Sequence, residues 1–239
     1  MMANAYLESI KDFESKLIEY ANCIFKAYGK ELVLRLEEYN LLQNKHNCIE
    51  SSTAIGFIIE EFVVAKLEMF THCDDSSKYV IERFVGSTSS ESYDFFSESG
   101  GIRFMVNVKA EKADCKNNGV AAIGQLHRNY CEENPEQQKA YLVFKVIYSI
   151  GEGNEDSPER RAKPRNIHID GLEAYCLEEI DFSVGHRQDH RRWSDSASDK
   201  NNGRLQISYK FRMDNRIPPE EVSYSNTFKM IDAMFKGNK

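Results

Sequence analysis

Ser92-Tyr-Asp-Phe-Phe-Ser-Glu-Ser-Gly-Gly-Ile-Arg-Phe-Met-Val-Asn-Val-Lys109 decides how this chain is read: a single aspartate, Asp94, precedes an apolar strand that closes on a lone lysine. Residues 102 to 108 are nearly all β-branched or large and apolar, and Glu98-Ser-Gly-Gly101 in front of them has the composition of a hairpin loop. Asp94 and Lys109 are therefore expected on adjacent strands. A period of two puts Phe104, Val106 and Val108 on one face and Arg103, Met105, Asn107 and Lys109 on the other. Asp94, on the outgoing strand, is expected to meet Asn107 and Lys109 across the hairpin.

Working outward, residues 6 to 42 carry apolar side chains at helical spacing (Leu7, Ile10, Phe13, Leu17, Ile18, Ala21, Ile24, Phe25), and a second helical run is expected after Lys30. Residues 53 to 70 read as a core helix, apolar on most of its circumference. A polar break at 71 to 78, a strand at 79 to 85 and the hairpin follow. Residues 120 to 130 read as a helix. Residues 140 to 150 form a near-continuous apolar run, the signature of a strand covered on both faces. Further short strand or helix pieces are expected at 167 to 170 and 175 to 182. Residues 204 to 212 alternate as a half-exposed strand, and Pro218-Pro219 breaks the chain before a last helix at 225 to 235.

The pattern around Asp94 resembles the PD-(D/E)xK phosphodiesterase superfamily, whose best-known members are type II restriction endonucleases. Tyr93-Asp94 stands where that family has Pro-Asp, and Asn107-Val108-Lys109 where it has Asp/Glu-x-Lys. The family also carries a glutamate on a core helix ahead of these strands, the place taken here by Gly56-Phe-Ile-Ile-Glu-Glu-Phe-Val63. The resemblance implies an α/β fold with an αβββαβ core, its mixed central sheet flanked by helices. It implies one domain over residues 1–239, with an N-terminal helical part (1–50) as a candidate dimer surface. The catalytic core would span 53–150, and 151–239 would hold DNA-gripping and C-terminal elements. It also implies Mg²⁺ as cofactor. Asp94 would be the central ligand, the Val108 carbonyl a second, and Glu60 or Glu61 a third.

Phosphodiester hydrolysis needs a water activated at neutral pH and a counter-charge for the pentacoordinate phosphate, and Mg²⁺ on hard oxygen ligands supplies both. Lys109 is the candidate to orient the water and stabilise negative charge. Asn107 brings an oxygen without charge, which lowers metal affinity relative to a carboxylate. Adjacent helical positions diverge by about 100°, so Glu60 and Glu61 cannot both share one polar stripe; Glu60 is favoured and Glu61 is the alternate. The plainer reading makes Asp94 a strand-end residue beside a turn and Lys109 a solvated edge charge.

The 239-residue chain has six dispersed cysteines without CxxC or His/Cys clustering, so neither a zinc site nor a disulfide framework is indicated and a reducing cytoplasm is the expected compartment. No signal-peptide pattern or membrane-length apolar run is present, so no membrane is expected as a partner. Gly151-Glu-Gly153 lacks the lysine of a phosphate-cradling loop, and no nucleotide cofactor is expected. His127, on the helix after the lysine strand, reads as a packed or surface residue.

A net charge of −7 disfavours nucleic acid as a partner on average, but the distribution is uneven. From His186 to Arg216 the chain holds eight basic residues (Arg187, Arg191, Arg192, Lys200, Arg204, Lys210, Arg212, Arg216) against four acids (Asp189, Asp195, Asp199, Asp214). Arg187, Gln188, His190, Arg191 and Arg192, beside the only tryptophan, Trp193, are of types that bind phosphates and base edges. With Arg204, Lys210 and Arg212 on the polar face of the following strand they form the expected double-stranded DNA contact. A second basic group, Arg160 to Arg165, reads as solvated loop.

Taken together, a Mg²⁺-dependent, sequence-specific DNA endonuclease acting as a homodimer on a two-fold symmetric site is expected. The alternatives are a repair or junction-resolving nuclease of the same fold and a catalytically degenerate DNA-binding protein.

Overall fold

A computed structural model of the chain describes residues 4–34, 52–83, 91–114, 118–151, 165–183 and 203–236. In chain order its elements are α1 (Ala5–Tyr28), β1 (Glu31–Leu34), α2 (Ser52–Cys73), β2 (Glu82–Arg83), β3 (Phe95–Ser99), β4 (Ile102–Lys112), α3 (Ile123–His127, running on as a π turn over Arg128–Glu132), β5 (Gln138–Gly151), β6 (Arg165–Cys176), α4 (Tyr209–Asp214) and α5 (Tyr224–Lys236). The strands form one mixed open sheet in the order β1-β6-β5-β4-β3-β2. Helices cover both faces, so the fold class is α/β.

The hairpin of β3 and β4 lies where the composition placed it. Gly100 and Gly101 both have positive φ (59° and 80°), as a two-residue turn that matches strand twist requires, and Ser99 pairs with Ile102. The register then runs to Phe95 opposite Val106. β4 lies parallel to β5 from Ile102↔Gln138 to Lys112↔Tyr148, with α3 in the connection. β5 pairs antiparallel on its other side with β6.

Alternation along β4 divides the molecule. Phe104, Val106 and Val108 enter one core with α1 and α2, and Met105 enters a second core with α3 and α5. β5 feeds both, Phe144 and Val146 to the first and Tyr141 and Val143 to the second, which explains its unbroken apolar run. α1 begins at Asn4, whose side chain accepts from the Leu7 amide (3.2 Å), and Gly29, at φ 87°, follows its end. Its Ile10, Phe13, Leu17, Ala21 and Ile24 are all buried, and the Phe13 ring stacks on Phe104 with centroids 4.4 Å apart. The apolar stripe of α1 is thus occupied by the protein's own core.

Several expectations are corrected. Glu31–Leu34 is not helical: it pairs with β6 as an edge strand, because this short segment with three apolar residues follows the break at Gly29 and completes the sheet. Residues 35–51 lie outside the described residues. Of the strand expected at 79–85, the described residues pair over Glu82–Arg83, Tyr79 and Ile81 serve as core side chains, and 84–85 lie outside the described residues. The helix expected from residue 120 starts at Ile123. Residues 205–207 instead bond back to 118–121, through Val120 N to Leu205 O (2.9 Å) and Ile207 N to Asn118 O (2.8 Å).

Alternation over 204–212 also fails beyond Ile207. The Ser208 side chain accepts from the Phe211 amide (3.1 Å) and caps α4, so a helix replaces the second half of that strand. The pieces expected around 167–182 are one twelve-residue strand, β6, followed by a 3₁₀ turn at Leu177–Glu179.

That turn buries Glu178 completely. One carboxylate oxygen accepts from the Tyr130 hydroxyl (2.9 Å) and the Tyr141 amide (3.0 Å), and the other has no partner. Burial pushes the Glu178 carboxyl up to about 7. A raised carboxyl favours the fold in its protonated form, so the stabilisation is complete below the unfolded value near 4.5 and is lost as pH rises through 7. The span corresponds to roughly 3 kcal/mol. Thermal melts from pH 5 to 8 are expected to show stability falling with pH in the parent and a clearly flatter profile in Glu178→Gln; equal slopes in the two would refute this role of Glu178.

Candidate active site

β3 begins only at Phe95, opposite Val106, but β4 continues for six residues beyond Val106. The last strand-like bond on this side is from the Asp94 amide to the Val106 carbonyl (2.8 Å). The next amides of β4 that face this way, those of Val108 and Ala110, have no strand to pair with, and a half-buried strand cannot leave them bare. Two carboxylates take the place of the strand. Oδ2 of Asp94 accepts from Val108 N (2.6 Å) and Oε1 of Glu60 accepts from Ala110 N (2.9 Å). Within a strand the N–H and C=O of one residue point to the same side, so the Val108 carbonyl lies on the edge that carries both carboxylates.

Helix α2 delivers Glu60 by packing against β4: one turn earlier, a Cβ built on Gly56 would stand 3.5 Å from that of Ala110, in ordinary contact. Glu61 turns outward and pairs with Arg83 of β2 (2.6 Å). Of the two alternates, Glu60 is the one that touches β4.

Burial raises the carboxyls of both Asp94 and Glu60, and the positive charge of Lys109 opposes the shift in each. The Asp94 charge in turn raises Glu60, so the three side chains form one electrostatic group. Lys109, half-buried, acts on both acids through space, and among the described residues its ammonium has no ion-pair partner. Asp94 and Glu60 each commit one oxygen to a β4 amide, and their second oxygens make no hydrogen bond among the described residues. Two spare carboxylate oxygens and the Val108 carbonyl are hard-oxygen donors of the kind Mg²⁺ takes. The residues present fit that ion.

Asn107 stands apart from this group. Its amide nitrogen donates to the carbonyls of Ser92 (2.7 Å) and Val120 (2.9 Å), while its oxygen is buried without a partner. The side chain faces two acceptors, which an ionised acid would not tolerate. This gives a structural reason for an amide where the resemblance has a carboxylate.

A charged row continues across the sheet from Lys109. Lys145 of β5 is its strand neighbour and pairs with Glu111 (2.6 Å); Glu173 of β6 is next and holds Arg212 of α4. A lysine amid the apolar run at 140–150 was the signal for this row in the sequence. Arg212 is 8% exposed and its guanidinium lies 4.1 Å from the Tyr175 ring centroid, so most of its surface is covered by the protein itself. Lys210 pairs with Asp214, and Arg204 is exposed. Arg187, Gln188, His190, Arg191 and Arg192 lie outside the described residues.

A separate group, Glu14, Cys176 and Glu179, lies within metal-ligand reach, but the Lys11 ammonium already bridges its carboxylates at 2.8 and 2.5 Å. No helix among the described residues is long and apolar enough to cross a membrane. Neither protein-family models nor curated protein sequences yield a match to this chain.

Asn107→Asp, which restores the acid of the motif, is expected to place a carboxylate against two carbonyls and to lower stability by about 1–3 kcal/mol. Chemical denaturation at pH 8 measures it; a variant as stable as the parent would show that Asn107 is not held by those carbonyls.

Proposed function

We propose that this protein is a Mg²⁺-dependent nuclease that cleaves double-stranded DNA in the manner of a type II restriction endonuclease. The observation that carries this reading is the group just described: two carboxylates fastened to the β4 amides either side of the Val108 carbonyl, and a lysine, without an ion pair among the described residues, acting on both. The order α2, β2, β3, β4, α3, β5, with β4 and β5 parallel, supports the αβββαβ core that the resemblance implies.

Asp94, Glu60 and the Val108 carbonyl would hold the ion. Bound there, Mg²⁺ supplies positive charge to the phosphate and lowers the pKa of a coordinated water. Asp94 and Glu60 hold their positions through bonds to the backbone. Lys109, without an ion-pair partner among the described residues, orients the attacking water and stabilises charge that develops on the phosphate. Contact with DNA falls to Arg187, Gln188, His190, Arg191, Arg192 and the exposed Arg204, since Arg212 is engaged inside. Cutting both strands of a symmetric site calls for two copies of the chain, meeting elsewhere than on the apolar stripe of α1.

Asn107, bound to backbone carbonyls instead of facing the acids, favours one second reading: a DNA-binding protein without catalysis.

Purified protein incubated with mixed-sequence plasmid and Mg²⁺ is expected to give discrete fragments whose sequenced ends report the site and stagger. Asp94→Ala and Lys109→Ala should each slow cleavage at least about a hundredfold, with DNA binding by Asp94→Ala retained. Glu60→Gln should slow it far more than Glu61→Gln. Parent and Lys109→Ala behaving alike with Mg²⁺ would sink the nuclease reading and leave the binding one.

A further inference from the structure

Three elements close on the backbone of one residue, Ser92, two residues before Asp94. The Ser92 amide donates to Oδ1 of Asn129 on the π turn (2.9 Å). The Ser92 carbonyl accepts from Nδ2 of Asn107 on β4 (2.7 Å) and from the hydroxyl of Tyr141 on β5. Ser92, Asn107, Asn129 and Tyr141 are all buried, Asn129 with 1% and Tyr141 with none of its surface exposed.

Asn129 is itself fixed, donating to Glu91 (2.5 Å) and Glu133 (3.0 Å), and its neighbour Arg128 pairs with Glu91 at 2.9 Å.

One donor would satisfy the Ser92 carbonyl. Two buried side chains from different strands, with a third on the amide, hold the group in place as well as pairing it. Downstream, the Asp94 amide is fixed on Val106 (2.8 Å). Between these anchors lies only Tyr93, which is buried, set edge-on to Phe96 (centroids 6.3 Å apart) and hydrogen-bonded through its hydroxyl to Arg103 (3.3 Å).

We infer that Tyr141, Asn107 and Asn129 are positioning residues for Asp94: by immobilising the Ser92 peptide they hold the Asp94 carboxylate against the Val108 amide. The consequence for metal binding and cleavage rests on the nuclease reading; the mechanical link does not. A carboxylate held in advance spares a ligand the cost of ordering it.

Tyr141→Phe removes one hydroxyl and keeps the ring, and the Tyr141 amide that binds Glu178 is untouched. Hydrogen exchange of the Val108 and Ala110 amides, followed by nuclear magnetic resonance on the full chain, reads the effect. Exchange at Val108, held by Asp94, is expected to quicken about tenfold, the scale of one lost hydrogen bond. Ala110, held by Glu60 from α2, should keep its protection. Asn129→Ala should act in the same direction. An unchanged Val108, or Val108 and Ala110 loosening together, overturns the inference.

Titrating Mn²⁺ into the same samples separates the two readings. Several-fold weaker binding by Tyr141→Phe extends the clamp to the metal site, and equal affinity overturns that extension. A parent that binds no Mn²⁺ overturns the nuclease reading, while the Val108 comparison still decides the clamp.

Discussion

Two backbone amides on the edge of β4, left without a strand where β3 stops, govern the architecture around Asp94. A strand that runs past its neighbour must satisfy those groups or lose stability. Here the acceptors come from Asp94, at the start of β3, and from Glu60 on a helix that packs across the sheet. The same bonds bring two acids within the field of Lys109 and flank the Val108 carbonyl. A structural need of the sheet edge and the assembly of a hard-ligand group are met by the same contacts. Burial that raises both carboxyls is tolerable because a lysine stands opposite and each acid holds an amide.

The rest of the sheet serves to hold that edge still. β5, covered on both faces, sends Phe144 and Val146 into one core and Tyr141 and Val143 into the other. Its polar members are more specific: the Tyr141 hydroxyl reaches Ser92, its amide is taken by the buried Glu178, and Lys145 lies next to Lys109. The π turn after α3 contributes Asn129 to the same Ser92 peptide. These are buried polar contacts of the kind that cost stability when left partly satisfied. Glu178 and Asn107 each keep one oxygen without a partner.

Legibility followed the range of the interactions. The hairpin was readable because Gly100-Gly101 and the alternation from Ile102 to Val108 are local signals of turn geometry and of two-faced burial. The core helix and the doubly covered strand were readable from the extent of their apolar runs. At 31–34 a helical pattern misled, because a four-residue edge strand depends on the existence of β6 and not on its own periodicity. At 204–212 the alternation was real for Leu205 and Ile207, but Ser208 capped a helix there, and Arg212 found Glu173 on a strand far away in sequence. Asn107 looked like a weakened ligand because its type was visible and its acceptors, Ser92 and Val120, were not.

The amino-acid order alone determined which residue types were available at the hairpin and on the core helix: an aspartate before the strand, a lysine at its end, a pair of glutamates one turn after a glycine. Those follow from short-range periodicity and turn chemistry, which a chain carries wherever it folds. Only the tertiary structure decided that Glu60 and not Glu61 meets the strand, that Asn107 faces inward, and that the stripe of α1 is covered. Each of those choices depends on which unpaired backbone group or apolar face a distant element happens to bring near, and on the cost of leaving it unsatisfied.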